Sequence, residues 1–359
     1  MQEIDINIII LSGFIVSFVI TFVSIPSIIK VAKLKHLYDE PDERTVHSSK
    51  IATLGGVAIF AGISVSSLIF IDTTYFPEIK YIIAAIIVMF FIGIKDDILV
   101  IAPLTKLSGQ VFAALVITTF TDIQITNLHY FFGISEIPEF VGIPLTIFVI
   151  IVIINGFNLI DGVDGLSASI ATLTTLAFGI WFYFAGHYQL VILSVVIIGA
   201  LLAFLRFNLF AGKEKIFMGD TGSLILGLLS SVLVIKFNEI NVNHNFDLAI
   251  WGAPSTSFAI LIVPLFDTIR VMFIRFMQKK SMFKPDKQHI HHILLEHTHS
   301  HKVVVAILLG INIVFIVTAY FITNLFGIRT LLLIYFLMAM IIFYIPVYIL
   351  ELRKRNMSK

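Results

Sequence analysis

Residues 143–165 read IPLTIFVIIVIINGFNLIDGVDG. The stretch opens with an almost wholly apolar run and closes with a short segment rich in Asn, Asp and Gly. A helix that crosses a bilayer needs about 20 mostly apolar residues, and this run is one of several of about that length or somewhat shorter. The same alternation of apolar run and polar segment recurs along the chain. The sequence therefore predicts an all-α polytopic membrane protein whose polar segments carry the chemistry.

The composition excludes a soluble domain. The 359-residue chain is 58% hydrophobic and 13% charged, whereas ordinary globular chains are about 25% charged. Cysteine is absent from the sequence, which excludes disulfides and thiolate chemistry. We expect one membrane domain over residues 1–359 with eleven transmembrane helices. Their apolar runs centre on residues 8–29, 54–71, 81–94, 107–121, 143–157, 166–184, 189–205, 222–235, 256–274, 303–322 and 330–350.

Lysine and arginine are concentrated in alternate polar segments. With eleven spans, 21 of the 24 Lys and Arg residues fall on one side of the membrane. Basic segments are typical of the cytoplasmic side. We therefore expect the N-terminus outside, the C-terminus in the cytoplasm and a small external β-hairpin near residues 121–142. The predicted cytoplasmic segments are residues 30–53, 95–106, 155–165, 206–221, 270–302 and the tail after residue 352.

Asp96 and Asp97 form a pair of adjacent carboxylates in one of these segments. Mg²⁺ prefers oxygen ligands and is usually held by one or two carboxylates together with substrate phosphates. Adjacent residues on a helix diverge by about 100°, so the two carboxylates can take different roles. The alternative interpretation is a solvated helix end without a ligand.

A row of polar residues follows the run quoted above. Asn155, Asn158, Asp161 and Asp164 recur every three residues, and helical or near-helical backbone would line them on one face. Three glycines are interleaved with them and allow close approach of a ligand. The segment contains neither Lys nor Arg, so a metal or a cationic side chain from elsewhere must neutralise its carboxylates. Capping and turn formation alone would not explain so regular a row.

Residues 215–223 read KIFMGDTGS and lead into another apolar run. Either Asp220 or Thr221 suits the N-cap of a helix. Free amides at a helix start also favour phosphate oxygens, and Asp220 could hold a cation that bridges them. Phe217 could stack on a base, although a partly buried Phe at a membrane surface is more often a packing residue.

Residues 286–292 read DKQHIHH, in which Asp286, His289 and His292 again repeat every three residues. Clustered histidines suggest zinc. The surrounding loop is strongly basic, however, and imidazoles can bind or protonate a phosphate, so we favour an anion. The further histidines at 297, 299 and 301 are interpreted as a solvated extension.

Two more positions are candidates. Arg44 and His47 lie in the first cytoplasmic segment, and Arg44 suits bidentate contact with a phosphate. A role in the surface loop is an equal alternative. Asp267 lies within an apolar run, and a carboxylate in a membrane is a functional candidate; the alternative is a hydrogen bond between packed helices.

Inner-face carboxylates, a basic loop and apolar walls suit a reaction between a soluble phosphorylated substrate and a phosphorylated lipid. The sequence in fact resembles the polyprenyl-phosphate N-acetylhexosamine-1-phosphate transferase family over nearly its whole length. The motifs that carry the resemblance are Asp96-Asp97 with Lys106-Leu107, residues 158–166 (NLIDGVDGL), residues 217–223 (FMGDTGS) and residues 289–292 (HIHH). The HIHH form, with Arg44 to His47 upstream, is similar to the branch that uses simple UDP-N-acetylhexosamines.

The resemblance implies an activity and a cofactor. A UDP-N-acetylhexosamine and polyprenyl phosphate would give polyprenyl-diphosphate-N-acetylhexosamine and UMP. Residue by residue, it implies that Asp97 and Asp220 hold Mg²⁺, with Mn²⁺ as a substitute, and the diphosphate. It makes Asp96 a candidate base toward the lipid phosphate and places Asn158 and Asp161 in the catalytic row.

The resemblance also implies substrate-binding residues. Asp164 and Phe217 would contact uracil, Lys106 would contact a phosphate, and the histidines would close over the nucleotide sugar. In the order of the chain, the substrate-binding candidates are Arg44, His47, Lys106, Asp164, Phe217, His289, His291 and His292. The chain departs from the usual family pattern at residues 297–301, where a glycine-containing stretch is common.

The sequence leaves two rival functions open. Within the family, the alternative is a UDP-MurNAc-pentapeptide transferase of peptidoglycan synthesis. From another class, eleven helices, Asp267 and a His-rich loop would suit a metal or proton transporter, although transport sites usually lie near the middle of the membrane. We expect the bacterial cytoplasmic membrane as the location, the bilayer and the two substrates as partners, no nucleic acid, and a homodimer as one option.

Overall fold

The computed structural model describes residues 5–39, 51–210, 214–243, 247–279, 289–323 and 325–357. Helices dominate this part of the chain. Two short strands, β1 (Tyr38–Asp39) and β2 (Ile51–Ala52), form an antiparallel pair. The helices are α1 (Ile6–Lys35), α2 (Gly55–Phe70), α3 (Ile79–Leu99), α4 (Pro103–Phe120), α5 (Glu139–Ile160), α6 (Leu166–Phe184), α7 (Tyr188–Asn208), α8 (Gly219–Ile240), α9 (Ala253–Ile260), α10 (Ile262–Met277), α11 (Ile290–Thr298), α12 (His301–Ile322) and α13 (Ile328–Met357).

The all-α polytopic membrane class is confirmed. Every predicted apolar run coincides with a helix or, in one case, with a bent pair of helices. Seven helices in the described ranges are long and apolar enough to cross a membrane, or eight if the bent pair counts as one span. Helix α2 has only 16 residues, and α3 carries charged residues near both ends. The number of eleven spans and the orientation therefore stay predictions.

The run at 256–274 was expected to be a single helix, but it is broken. Helix α9 ends at Ile260, and α10 starts at Ile262 with a bend of 83° between them. Pro264 has no N–H to donate to the carbonyl four residues earlier, which is that of Ile260. That carbonyl accepts a hydrogen bond from Nδ2 of Asn312 in α12, at 3.0 Å. The proline and the asparagine together account for the bend.

Close backbone packing fixes the first turn of α8 against its neighbours. Helix α8 packs against α5, α3 and α2. A Cβ atom on Gly56 would lie 2.2 Å from the backbone nitrogen of Gly222, and one on Gly93 would lie 2.3 Å from Cα of Thr221. Only glycine allows these contacts. The N-terminus of α8 is thereby held against the last turns of α3 and the start of α2.

A short extended segment reinforces this junction. Ala52 of β2 pairs in parallel with Ile216, just before α8. The amides of Gly55 and Gly56 donate to the carbonyls of Phe217 and Met218 at 2.9 and 2.8 Å. The entries to α2 and α8 are therefore tied together by main-chain hydrogen bonds.

The chain folds back on itself between α4 and α5, where the sequence predicted a hairpin. Asn127 and Glu136 form an antiparallel bridge, and the amide of Leu128 donates to the carbonyl of Ser135 at 2.7 Å. The turn uses positive φ angles at His129, Tyr130 and Gly133. The result is a single bridge flanked by hydrogen bonds, without regular strands.

Candidate active site

Residues from four separate motifs meet around one cavity of about 390 Å³. The walls come from the ends of α3, α5 and α8, the turn after α5 and the start of α11. The predicted site residues in the wall are Asp97, Asn158, Asp161, Asp220, His289 and His292, alongside Leu159, Gly162 and Gly219. The structure thus brings together side chains that are far apart in sequence.

Lys106 of α4 is the hub of the polar network beside this cavity. Its Nζ lies 2.6 Å from Oδ2 of Asp220 and 3.1 Å from Oδ2 of Asp96, and it donates to Oδ1 of Asn158 at 3.2 Å. Asn158 Nδ2 in turn donates to the other oxygen of Asp220 and to Ser223 Oγ. One cation therefore serves carboxylates from α3 and α8 and is positioned by α5.

Asp97 caps helix α8 from a neighbouring helix. Its carboxylate accepts hydrogen bonds from the amide of Asp220 at 2.6 Å, the amide of Thr221 at 3.1 Å and the hydroxyl of Thr221 at 2.6 Å. Free N–H groups and the positive end of the helix dipole favour a carboxylate at that place. The expectation that Asp220 or Thr221 is itself the N-cap is wrong, because the cap is supplied by Asp97.

Gly219 makes this arrangement possible. It has a φ of +73°, and a Cβ atom there would lie 2.6 Å from both carboxylate oxygens of Asp97. A side chain at this position would displace the carboxylate from the start of α8. The glycine is thus needed for both its backbone conformation and its lack of a side chain.

Asp161 is the carboxylate in the cavity wall that lacks a protein partner. No hydrogen bond or ion pair involves its side chain within the described ranges. Partial burial and the nearby carboxylates of Asp220, Asp97 and Asp164 raise the pKa of Asp161 well above its usual range. An unpaired carboxylate among other carboxylates is an environment that a divalent cation would relieve.

The donor set fits Mg²⁺ in type. Carboxylate oxygens are the ligands this ion prefers, and it commonly retains waters and takes substrate phosphates for the remainder. Among the described residues, no three His, Asp or Glu side chains converge closely enough to enclose an ion by themselves. That is compatible with an ion held by Asp161 and Asp220 and completed by substrate.

The row from Asn155 to Asp164 does not lie on one face. Helix α5 ends at Ile160, and the backbone then turns until α6 begins. Asn155 faces α4, where its Nδ2 donates to Gln110 Oε1 at 2.8 Å. Asn158 and Asp161 reach the cavity, whereas Asp164 lies beyond the turn. The expected helical periodicity therefore holds for only part of the row.

Asp164 belongs to a second cluster. Its Oδ2 lies 2.5 Å from Nζ of Lys215 and 2.9 Å from Nδ1 of His301. Burial raises the pKa of Asp164, but hydrogen bonds and charge from His301 and Lys215 outweigh it and hold the pKa below its usual range. Nζ of Lys215 also lies 5.2 Å from the ring centroid of the partly exposed Phe217. The two residues expected to contact uracil thus share a neighbouring lysine.

The interpretation of the later histidines as a solvated extension is wrong in part. His299 is exposed, but His301 contacts Asp164, and Nδ1 of His297 lies 3.0 Å from the carbonyl of Ile293. Only the tertiary fold brings His301 beside Asp164, so no local pattern could have indicated it. Lys215 carried a signal, since it opens the 215–223 segment that contains Phe217.

The HIHH motif starts α11 and packs against the turn after α5. His289 is the N-cap in an extended conformation, so it does not share a helical face with His292. The rings of His291 and His292 lie 4.3 Å apart. A Cβ atom on Gly162 would lie 3.0 Å from Nε2 of His291 and 3.3 Å from Cε1 of His292. Gly162 therefore lets the motif approach the catalytic row.

His291 differs from its neighbours because its ring is wholly buried. Neither ring nitrogen has a hydrogen-bond partner in the described part of the chain. Burial lowers the pKa of His291 to about 3, so the ring is neutral at physiological pH. The predicted substrate contact of His291 stays a prediction; in this structure the ring packs between those of His289 and His292.

Three predicted positions lie outside the described residues: Arg44, His47 and Asp286. Asp267 was the intramembrane candidate. It is fully buried and forms hydrogen bonds with His289, Ile290 and Arg270. Asp267 therefore connects α10 to the HIHH motif.

The chain is similar in sequence to known proteins. The pattern of glycosyl transferase family 4 matches residues 79–238. The undecaprenyl-phosphate alpha-N-acetylglucosaminyl 1-phosphate transferase of Escherichia coli (strain K12) is 31% identical over 270 residues, 74% of this chain and 71% of the relative. The probable undecaprenyl-phosphate N-acetylglucosaminyl 1-phosphate transferase of Bacillus subtilis (strain 168) is 30% identical over 316 residues, 86% of this chain and 83% of the relative.

The helical membrane fold, the polar centre at the helix ends and these similarities define a multi-pass membrane transferase. The chain belongs to the polyprenyl-phosphate N-acetylhexosamine-1-phosphate transferase family, within glycosyl transferase family 4. The resemblance seen in the motifs is thereby confirmed. Membership of this family favours the transferase over the transporter.

Proposed function

We propose that this protein transfers N-acetylglucosamine 1-phosphate from UDP-N-acetylglucosamine to undecaprenyl phosphate at the bacterial cytoplasmic membrane. In the overall reaction, a phosphate oxygen of the lipid forms a new P–O bond to the phosphorus that carries the sugar. The P–O bond between that phosphorus and UMP breaks, and UMP leaves. The products are a lipid diphosphate that bears the sugar, and UMP. The names of the relatives support this choice of substrates.

One observation carries the proposal most directly. Lys106 Nζ lies between Asp96 and Asp220, and the unpaired Asp161 lies in the same cavity wall as Asp220. This combination offers a fixed cation for phosphate oxygens and carboxylates for a divalent cation. Apolar helices surround the site, so a lipid phosphate can reach it from the bilayer while a nucleotide sugar arrives from water.

Mg²⁺ is part of the proposal. Asp161 and Asp220 would hold it, and Asp220 would exchange its contact with Lys106 or Asn158 for the ion. Asp97, the ligand predicted from the sequence, accepts hydrogen bonds on both oxygens at the start of α8 and would have to give up part of that cap to bind the ion. When bound, Mg²⁺ neutralises negative charge that develops on the transferring phosphates. Asp96 accepts from Lys106 and from the amide of Ile101 at 2.7 Å, so its role as a base toward the lipid phosphate requires that it exchange a partner.

The second cluster is proposed to bind the nucleotide. Asp164 offers a carboxylate that can accept the N–H of uracil, and Phe217 offers a partly exposed ring for stacking. Lys215, in the segment before α8, contacts both side chains, so it would hold the two base-binding residues next to each other. His289 and His292 of the HIHH motif also line the cavity and are placed to contact the diphosphate or the sugar.

The test uses purified protein with undecaprenyl phosphate, Mg²⁺ and a panel of UDP-sugars. We expect UMP release with UDP-N-acetylglucosamine and a lipid product whose mass matches the added sugar phosphate. A product formed only from UDP-MurNAc-pentapeptide would instead assign the peptidoglycan reaction. Metal flux in proteoliposomes without UMP release would assign transport. The homodimer stays a prediction, which the mass of the detergent-solubilised particle tests.

A further inference from the structure

Asp267 is a fully buried carboxylate with an unusually complete set of partners. It lies in α10, one turn beyond Pro264 at the bend. Its Oδ2 lies 2.9 Å from Nδ1 of His289, and its Oδ1 accepts from the amide of Ile290 and from Nη2 of Arg270, each at 3.0 Å. A buried charge persists only when it is paired and hydrogen-bonded in this way. The partners include the first residues of the HIHH motif.

The bond to Asp267 determines which nitrogen of His289 is available to a ligand. A carboxylate only accepts hydrogen bonds, so Nδ1 of His289 carries the proton that it donates to Asp267. Nε2 has no hydrogen bond to any described residue. His289 also lines the cavity that contains Asp161 and Asp220. The remaining nitrogen is therefore the one left for a substrate.

The carboxylate can accept from Nδ1 in either charge state of the ring. When His289 is charged, Nε2 carries a proton as well and can donate it in a hydrogen bond to a phosphate oxygen. Among the described residues, the other charged or titratable groups in contact with this pair include Arg270, His291 and His292. His291 lies 3.9 Å from Asp267, beyond hydrogen-bond distance, so His289 is the histidine that Asp267 orients.

We propose that Asp267 is a positioning residue: it fixes the tautomer and orientation of His289 so that Nε2 faces the diphosphate of the nucleotide sugar. The inference rests on the proposed function and deepens it. It assigns Asp267 to the reaction, although the residue lies within a membrane-embedded helix and outside the cavity wall. The bend between α9 and α10 has a functional role in this proposal, because the helix beyond the bend places Asp267 at the start of α11.

The experiment is a double-mutant cycle with Asp267→Asn and His289→Ala. Asparagine keeps the size but presents an amide, which favours the wrong tautomer of His289. We expect Asp267→Asn to lower kcat/KM for the UDP-sugar by about 100-fold, by analogy with other residues that orient a functional histidine. The KM for the lipid phosphate is expected to be unchanged. When His289 is already alanine, adding Asp267→Asn is expected to lower kcat/KM for the UDP-sugar by less than about a further threefold.

Thr268→Val is the matched control. Thr268 is the next residue of α10 and is buried, and within the described ranges its hydroxyl donates to the carbonyl of Pro264 in its own helix. Its variant should stay within about threefold of the unmodified protein. If Asp267→Asn does not fold, Asp267→Glu keeps the charge for Arg270 and moves the carboxylate, and the same cycle applies.

The outcomes separate this inference from the proposed function. Losses that multiply in the double variant, or an Asp267→Asn protein indistinguishable from Thr268→Val, would overturn the positioning role. In both cases the unmodified protein would still release UMP. An unmodified protein that releases no UMP would contradict the proposed function itself, and the inference with it.

Discussion

Lys106 Nζ lies 2.6 Å from Oδ2 of Asp220, and this ion pair joins α4 to the first turn of α8. The same nitrogen lies 3.1 Å from Asp96 of α3 and 3.2 Å from Asn158 of α5. Three helices thus place polar groups around one cation that a fourth helix carries. The site is consequently held by the packing of helices as well as by its own hydrogen bonds.

Replacing Lys106 by methionine should abolish most turnover without unfolding the protein. Methionine keeps the apolar stem, but it leaves Asp96 and Asp220 to repel each other and removes a cation from the phosphates. We expect a fall in kcat of at least about 100-fold, equivalent to about 2.7 kcal/mol. The measurement is UMP release at saturating substrates.

Lys236→Met is the control for that change. Lys236 is equally enclosed and pairs with Glu78 at 2.7 Å, but Glu78, unlike the Asp220 partner of Lys106, is not part of the cavity wall. Turnover in this variant should stay within about threefold of the unmodified protein. Equal losses in the two variants would mean that Lys106 acts only as a structural ion pair.

Asp97 is predicted to contribute to stability as well as activity. Asp97→Asn should lower the thermal midpoint, because the carboxylate accepts three hydrogen bonds at the start of α8; loss of a good cap costs about 1 kcal/mol. Gly219→Ala should reproduce the loss, since its Cβ would displace the same carboxylate. Thermal unfolding in detergent without divalent cation makes the comparison. Unchanged midpoints in both variants would exclude the capping role.

Asp161→Asn should behave in the opposite way. The raised pKa of Asp161 means that its ionised form is unfavourable in the folded protein, so stability falls as pH rises above about 3.8 and through the folded pKa. At neutral pH and without metal, the variant should therefore be at least as stable as the unmodified protein. It should also lose most of the stabilisation by Mg²⁺. A large drop in midpoint without metal, or an unchanged response to Mg²⁺, would contradict the assignment.

His291 should make stability sensitive to acid. Its pKa is lowered to about 3 in the folded state by burial, whereas the unfolded chain binds a proton at about 6.5. The contribution of the neutral His291 ring to the free energy of unfolding is therefore complete above about pH 6.5. It is lost as the pH falls toward 3, by up to about 1.4 kcal/mol per pH unit. Between about pH 7.5 and 5.5, the thermal midpoint of the His291→Gln variant should fall less than that of the unmodified protein. His299→Gln changes an exposed position, so the thermal midpoint of this control should fall as much as that of the unmodified protein.

The orientation can be tested directly because the chain has no cysteine. The predicted cytoplasmic side includes residues 270–302, so Ser300→Cys should react with a membrane-impermeant thiol reagent only after the cells are opened. A cysteine at Tyr130, in the bridge region predicted to be external, should react in intact cells. Tyr130 is exposed. Reversed labelling of the two positions would show that the predicted topology is inverted.

The helices could be predicted from the sequence because the bilayer demands long apolar runs, and each run at the predicted position is helical. All four motifs also supplied residues of the cavity wall, namely Asp97, Asn158, Asp220 and His289 among others. These signals are local: they depend on hydrophobicity and on short spacings.

Other features depend on which backbones come close, and no local pattern reports that. The capping of α8 by Asp97 requires the contact between α3 and α8, and the pairing of Asp164 with His301 requires α12 to lie beside the turn after α5. Helix α5 also ends at Ile160, where the backbone turns. The polar residues from Asn155 to Asp164 therefore do not share one helical face, despite their three-residue spacing. Tertiary contacts determined each of these outcomes.

The most direct test of the central claim is UMP release from UDP-N-acetylglucosamine with undecaprenyl phosphate as the divalent cation is varied. The site described here predicts release that stops in excess chelator, is restored by Mg²⁺ or Mn²⁺ and saturates with the ion. It also predicts that a zinc-selective chelator at saturating Mg²⁺ has no effect. Release that persists without divalent cation, or no release under any of these conditions, would contradict the account.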